Sequence, residues 1–488
     1  MQRMTAGERL TYVKTKIVAT VGPACASTDK LAALVEAGVD LFRLNFAHGT
    51  HDWLAGIVQS IREVSQALDR PVGILGDLAG PKIRLNELPG GSLVCQRGER
   101  VEFVRCADPA HPGGLTCTYE RLVEDLEVDD RILLADGAVA MRVVEKHAAQ
   151  GRVVCVVDQP GVIRSRQGIN LPGATLSTPS LTDKDREDLA WGIQHGLDFI
   201  GLSFVRSADD IQLLRQAIAQ LKPVWEPQVV AKIEKMEAVN QLDRILEETD
   251  AVMVARGDLG VEVDLALVPV FQKRIIRLCN QHRIPVITAT QMLDSMQEHN
   301  RPTRAEAADV ANAVLDGADA VMLSGESAIG KFPVDAVSTM SRIAHEAERI
   351  LAPIRHPDMH SHQRSRALAV TEAVTLGAAQ AAEHLAVDLI VVATHSGRTA
   401  LSVSRQRSHI PILGLTDSEA TGRRMSLYWG VTPLVTDKVH ASPQELLRFV
   451  VDWGRRQGVL RSGSKLVLVA SSNWSAAGHD LMLVHAIP

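Results

Sequence analysis

Five pairs of polar residues sit i,i+2 at the ends of short apolar runs. They are Arg43/Asn45, Lys232/Glu234, Arg256/Asp258, Thr288/Thr290 and Ser324/Glu326. A strand alternates sides, so both members of a pair can point the same way. Gathered on one surface, the pairs would supply several cations, three carboxylates and several hydroxyls. Glu234 and Asp258 suit a hard divalent ion, since two carboxylates leave most of an octahedral Mg²⁺ shell to substrate oxygens and water. Lys232 and Arg43 add fixed positive charge, which suits an anion carrying both a phosphate and a carboxylate. Thr290 and Ser324 are neutral hydroxyls able to orient such a ligand or relay a proton. Taken alone, any one pair reads equally well as a buried structural salt bridge.

Something must bring these pairs together. Eight apolar runs end in or near them, at 16–21, 41–46, 72–77, 199–205, 229–234, 251–256, 285–290 and 320–324. Amphipathic stretches at 28–37, 53–68, 208–220, 235–248, 268–281 and 305–315 separate most of them. Alternating buried strands and helices predict a (β/α)₈ TIM barrel, residues 1–84 and 167–352, whose strand ends converge on one rim. An open doubly wound sheet would want a GxGxxG turn after its first strand, and none is present. Residues 85–166 are β-rich and broken by turn signals at Pro89, Pro112, Asp136 and Gln159. They predict a small β-barrel domain inserted at the catalytic rim, able to act as a lid. Residues 353–488 alternate strand and helix patterns and predict a C-terminal α/β domain. The polar, His-rich stretch 356–366 reads as a linker or helix entry.

Composition narrows the function. The chain has 488 residues, and 52 basic against 58 acidic side chains give a net charge of −6. That balance argues against nucleic acid as a partner, which requires clustered positive charge. Hydrophobic residues at 46% permit a large core, while aromatic residues at 3% make base-stacking platforms improbable. No apolar run is long enough to span a membrane, and residues 1–10 are polar, unlike a signal segment. The six cysteines lack CxxC spacing and read as reduced thiols, so the expected location is cytoplasmic.

At these residues the chain resembles the pyruvate kinase family. The resemblance runs in order from Lys14-Thr-Lys-Ile-Val-Ala-Thr-Val-Gly-Pro23 through Arg43-Leu-Asn-Phe46, His48-Gly49, Gly80-Pro-Lys-Ile-Arg84 and Gly168-Ile-Asn-Leu-Pro-Gly173. It continues through Val230-Ala-Lys-Ile-Glu234, Met253-Val-Ala-Arg-Gly-Asp-Leu-Gly260, Ala289-Thr-Gln-Met-Leu293, Arg301-Pro-Thr-Arg-Ala-Glu306, Asp309-Val-Ala-Asn-Ala-Val314 and Met322-Leu-Ser-Gly-Glu326. It implies a glycolytic phosphotransferase that moves a phosphoryl group from phosphoenolpyruvate to ADP, giving pyruvate and ATP with Mg²⁺, or Mn²⁺ in its place. By that resemblance Lys232 neutralises the phosphoryl group in flight, Glu234 and Asp258 hold the metal, and Arg43 grips the phosphate. Gly257, Asp258 and Thr290 receive the carboxylate. Thr290, Ser324 and Glu326 are candidates for the proton relay to the enolate. Asn45, His48 and Arg84 face the nucleotide. A homotetramer is implied as well.

The chain departs from the family pattern in three places. The usual K⁺ region keeps Asn45 and Asp77, but Ala47 replaces Ser, Leu78-Ala79 replaces Thr-Lys, and Lys82 replaces Glu. The Lys82 ammonium can stand in for the cation, so K⁺ is expected not to be required. Gln167 replaces a nucleotide-binding Lys, and Arg166 or Arg164 is the candidate substitute. The loop Thr394, Ser396, Gly397, Arg398, Thr399 resembles the family's effector-phosphate site, but residues 471–479 lack the basic side chains of bisphosphate-responsive members. A sugar phosphate or nucleotide monophosphate is the expected effector. The competing readings are a Mg²⁺-dependent barrel lyase acting on pyruvate enolates and a non-catalytic metabolite-binding relative.

Overall fold

The computed structural model describes residues 13–106, 113–135, 137–174, 176–351, 369–471 and 478–488. The segments 1–10 and 356–366, the turn residues Pro112 and Asp136, and most of the loop 471–479 lie outside the described residues.

All eight expected strands form. They are β1 (Lys16–Thr20), β2 (Leu41–Asn45), β3 (Gly73–Asp77) and, after the insert, β11 (Phe199–Leu202), β12 (Gln228–Ile233), β13 (Ala251–Ala255), β14 (Val286–Ala289) and β15 (Ala320–Leu323). They close a parallel barrel in the order β1-β15-β14-β13-β12-β11-β3-β2. The helices between them begin where capping residues satisfy the first free N–H groups. Ser27 accepts from Lys30 at the start of Thr28–Ala37, and Thr182 with Asp185 and Thr303 with Glu306 form reciprocal boxes. The pattern at 235–248 resolves into two helices, Met236–Asn240 and Leu242–Glu248.

The insert comprises β4 (Ser92–Cys95), β5 (Arg100–Val104), β6 (Arg131–Leu134), β7 (Val139–His147), β8 (Arg152–Gln159), β9 (Gly161–Arg164) and β10 (Ile169–Asn170). A five-stranded antiparallel sheet, β10-β6-β7-β8-β5, and a β4-β9 ribbon enclose one apolar core around Phe103, Ile132, Met141 and Cys155. The C-terminal sheet, β18-β17-β16-β19-β20, is built from β16 (Leu389–Ala393), β17 (Ile412–Thr416), β18 (Val431–Val435), β19 (Lys465–Ala470) and β20 (Leu481–Ala486). β20 is its antiparallel edge and is not legible from the buried-run pattern, because its residues alternate between half-buried and exposed.

The floor of the barrel has a fourfold regularity. Asp40, Asp198, Asp250 and Asp319 each stand one residue before a strand, at β2, β11, β13 and β15. Each carboxylate accepts a backbone N–H from the first or second residue of the preceding barrel strand: Ile17 at 3.0 Å, Ile74 at 2.9 Å, Val229 at 3.0 Å and Val286 at 2.8 Å. Each also meets arginine. Asp40 takes Arg70 at 2.8 Å and Asp250 takes Arg215 at 2.7 Å, both from the barrel. Asp198 takes Arg62 at 2.9 Å and, from the C-terminal domain, Arg423 at 2.7 Å. Among the described residues Asp319 takes only C-terminal-domain cations, Arg405 at 2.6 Å and Arg407 at 3.0 Å. The inward side chains of the barrel, such as Val18, Leu75, Val230 and Met322, continue without a break into Leu427 and Tyr428, so the appended domain seals this floor.

Candidate active site

Strand parity decides what reaches the opposite rim. Leu41, Arg43 and Asn45 share the inward side of β2, and Val230, Lys232 and Glu234 share that of β12. Those two pairs project together as expected. The other three do not follow simple alternation. Thr288 has the parity of Val286, which packs on the outer shell, and its hydroxyl is buried there without a partner. Arg256 and Asp258 lie past the end of β13, on the short helix Arg256–Glu262, and Arg256 turns outward to Asp309 at 2.6 Å. Glu326 lies on the helix Gly325–Ala328.

The centre of the rim is an ion cluster. The Lys232 ammonium lies 2.9 Å from Glu234 Oε1 and 3.2 Å from Asp77 Oδ1, and donates to Ser203 Oγ at 2.7 Å. Ser203 in turn donates to the Leu78 carbonyl at 2.7 Å. Arg43 meets the same Asp77 carboxylate at 2.5 Å and donates to Thr20 Oγ1 at 3.2 Å. Ser203 and Thr20 were missed in the sequence reading, although the parity of Phe199, Gly201 and Ser203 would have exposed the first. Burial disfavours the Lys232 charge, but Asp77 and Glu234 more than offset this and its pKa is raised. Burial pushes the Asp77 carboxyl up, and Lys232 with Arg43 more than reverse it. Glu234 ends with a raised pKa: burial dominates, Lys232 opposes it, and the Asp258 charge adds to it.

Glu234 Oε2 accepts the Phe204 N–H at 2.7 Å. Asp258 has no hydrogen-bond or ion-pair partner among the described residues. Two cations, Arg43 and Lys232, face three carboxylates, Asp77, Glu234 and Asp258, so the rim is one negative charge in excess. A divalent ion between Glu234 and Asp258 would reverse that sign and make the rim receptive to a phosphate, so the donor set fits Mg²⁺.

Beside them Thr290 Oγ1 accepts the Gly257 N–H at 2.7 Å and donates to the Ala289 carbonyl at 2.7 Å. Thr290 and Gln291 are both left-handed, with φ 66° and 53°. Ser324 Oγ is buried without a partner, and Glu326 spends both oxygens on the N–H groups of Leu293 (3.0 Å) and Ser324 (2.7 Å).

The remaining expected residues lie further out. Asn45 Oδ1 caps the Ala47 N–H at 3.1 Å, and His48 is exposed. Arg84 donates to the Arg166 carbonyl at 3.2 Å, while the Arg166 side chain pairs with Glu87 at 2.6 Å. Lys82 is exposed, lines the cleft between rim and insert, and makes no ion pair with Asp77; the cations on Asp77 are Arg43 and Lys232. In the C-terminal domain Thr394 Oγ1 accepts the Gly397 N–H at 3.1 Å. Ser396 and Arg398 are exposed, and Thr399 Oγ1 bonds His479 Nδ1 at 2.8 Å.

A (β/α)₈ enzyme with an inserted β domain and an appended α/β domain is the class that this fold and site define. The chain matches the family described as pyruvate kinase, barrel domain, over residues 12–337, and pyruvate kinase, alpha/beta domain, over residues 372–485. It is 42% identical to a pyruvate kinase of Geobacillus stearothermophilus and 40% identical to one of Bacillus licheniformis, in each case over 97% of this chain and 80% of the relative. The crystal structure of a pyruvate kinase from Cryptosporidium parvum superposes with a TM-score of 0.90 at 35% identity, covering 99% of this chain and 98% of that one. The chain belongs to the pyruvate kinase family and is an enzyme. Among the described residues no helix is long and apolar enough to cross a membrane.

Proposed function

We propose that this chain transfers the phosphoryl group of phosphoenolpyruvate to ADP with Mg²⁺ (Mn²⁺ as the alternative), giving pyruvate and ATP. The observation that carries the reading is the buried Lys232 ammonium, fixed between Asp77 and Glu234 beside the unpartnered Asp258 carboxylate. Phosphoryl transfer is mainly positioning and charge stabilisation, and a cation already desolvated and held needs no reorganisation as charge shifts. Arg43 grips the phosphate and Lys232 stabilises the group in flight. Glu234 and Asp258 would hold the metal, which would supply Lewis-acid charge to the reaction. The Gly257 and Asp258 backbone and the Thr290 hydroxyl receive the carboxylate. A terminal oxygen of ADP forms the new P–O bond while the enol P–O bond breaks, and the released enolate takes a proton at carbon. Ser324 is the relay hydroxyl with no standing partner, while Thr290 must first leave the Ala289 carbonyl. Glu326 keeps the Leu293 and Ser324 backbones in register.

Asn45, His48, Arg84 and Arg166 form the nucleotide side, with Arg166 drawn off Glu87 when ADP arrives. The functional units are the catalytic barrel, 1–84 with 167–352, the lid, 85–166, and the regulatory domain, 353–488. The lid excludes water, a competing acceptor. K⁺ is not required, because Ala47 lacks the hydroxyl of the usual site and Lys82 brings its own charge. A sugar phosphate or nucleotide monophosphate binds at Thr394, Ser396, Gly397, Arg398 and Thr399. The enzyme is a cytoplasmic homotetramer. Exposed Leu265, Leu267 and Val270 and the edge strand β20 are surfaces suited to such contacts.

The test is one assay of the full chain with phosphoenolpyruvate, ADP and Mg²⁺. ATP and pyruvate should form in equal amounts. Pyruvate release that does not depend on ADP, or no turnover at all, would sink the reading.

A further inference from the structure

We propose that Arg256 is a positioning residue whose guanidinium holds the left-handed turn at Thr290 and Gln291, and so sets where the Thr290 hydroxyl stands. The inference rests on the reading of Thr290 as a substrate contact.

Arg256 first reads from the sequence as a rim cation paired with Asp258. Instead it is 8% exposed and faces away from the ion cluster. Its Nε and Nη2 face one stretch of chain, where Nη2 also donates to the Met292 sulfur at 2.7 Å. Nε donates to the Ala289 carbonyl at 3.2 Å, and Nη2 donates to the carbonyls of Thr290 at 2.7 Å and Gln291 at 3.2 Å. Nη1 is anchored by Asp309 at 2.8 Å and Gln272 at 3.3 Å. One planar group therefore collects three consecutive carbonyls, which a point-charge ammonium cannot do.

Those carbonyls belong to a costly turn. Two adjacent non-glycine residues hold φ of 66° and 53°, and Thr290 is β-branched, the side-chain class least tolerant of that region. Strain of this kind persists only where the surroundings over-determine it. The left-handed turn also explains how Thr290 reaches the rim at all. Continued alternation would send it outward with Thr288. Turned back, its Oγ1 meets the Gly257 N–H at 2.7 Å. Thr290 and Gly257 are two of the three residues assigned to the substrate carboxylate, so displacement of the turn would be felt first in phosphoenolpyruvate recognition and little in ADP binding.

The experiment compares wild type, Arg256→Met, Arg256→Lys, Gln291→Gly, Gln291→Val and the double variant Arg256→Met/Gln291→Gly. It measures kcat, the separate KM values for phosphoenolpyruvate and ADP, and the thermal midpoint. Gln291 is exposed, so its replacement removes little packing. Arg256→Met and Arg256→Lys should lose about tenfold or more in kcat/KM for phosphoenolpyruvate, the cost of one unsupported left-handed residue, with KM for ADP changed by less than about twofold. Glycine adopts positive φ freely, so Gln291→Gly should match wild type and should restore at least about threefold of the loss in the double variant. Gln291→Val tests the turn with Arg256 intact, even if the Arg256 variants do not fold, and should lower kcat/KM for phosphoenolpyruvate. Arg256→Met with unchanged phosphoenolpyruvate kinetics, equal losses for both substrates, absence of recovery by glycine, or a silent Gln291→Val would each overturn the proposal. An inactive wild type would instead overturn the reading of the site. The turn would then be tested by stability, since Gln291→Gly must recover the thermal midpoint lost in Arg256→Met.

Discussion

Lys232, near the end of β12, and Glu234, one residue past that strand, close an ion pair of 2.9 Å. The pair is buried, and the lysine also answers to Asp77 at 3.2 Å. Lys232→Met should therefore do two things. It should cut kcat by roughly 100- to 1,000-fold, the scale of a lost preorganised charge. It should also lower the midpoint of thermal unfolding, since Asp77 and Glu234 lose a partner in a desolvated site. Lys232→Arg should not restore kcat, because a planar fork cannot occupy the space of an ammonium that serves Ser203, Asp77 and Glu234 together. Full activity of either variant would contradict the central role given to this nitrogen.

Metal binding can be checked without turnover. Mn²⁺ titrated into the protein, followed by the loss of the free-ion magnetic resonance signal, should bind one site. Glu234→Gln and Asp258→Asn should each weaken that binding by at least about tenfold. Glu326→Gln should leave it nearly unchanged, because Glu326 is committed to backbone N–H groups. Equal loss in all three would move the site elsewhere.

The monovalent-ion requirement separates two accounts of Lys82. Turnover in tetramethylammonium salt should be close to that in K⁺ salt. Lys82→Glu should become K⁺-responsive, weakly, since Ala47 supplies no hydroxyl oxygen. Strong K⁺ activation of the wild type would make Lys82 an ordinary exposed lysine, as its lack of contact with Asp77 in the free protein permits.

Asp319 pairs directly with two buried guanidiniums, and burial lowers the pKa of Arg407 to about 10. Asp319→Ala should cost about 3–5 kcal/mol, the penalty for stranding buried charge. It should also split unfolding into two calorimetric transitions as the C-terminal domain comes loose. Replacing Arg405 and Arg407 together with Met should cost less than Asp319→Ala. A single unperturbed transition in Asp319→Ala would show that apolar packing alone holds the floor.

Much of this molecule was legible in advance, for a physical reason. Parallel strands buried on both faces must be apolar throughout, so all eight staves stood out. Helices such as Thr28–Ala37 and Ala208–Gln220 stood out as amphipathic stretches between the strands. The rim was harder. Arg43, Asn45, Lys232 and Glu234 obey alternation because they lie on or directly after regular strand. Thr290, Asp258 and Glu326 do not, since each follows a break in the strand whose geometry is set by distant groups. Arg256 reaches Thr290 across thirty-four positions of chain, and no local pattern encodes that contact. β20 escaped notice because an antiparallel edge needs no continuous apolar run.

Asp198 and Asp319 directly precede β11 and β15, which lie on diametrically opposed sides of the ring, with three strands between them either way round. The C-terminal domain grips both. Rotation of that domain would thus apply a couple across the whole diameter rather than a tug at one edge. The two loaded staves surface at Ser203 and Ser324, on either side of the reaction centre. A twist imposed from below would therefore reach the ammonium's hydroxyl partner, Ser203, and the hydroxyl proposed for the proton relay, Ser324, in a single movement.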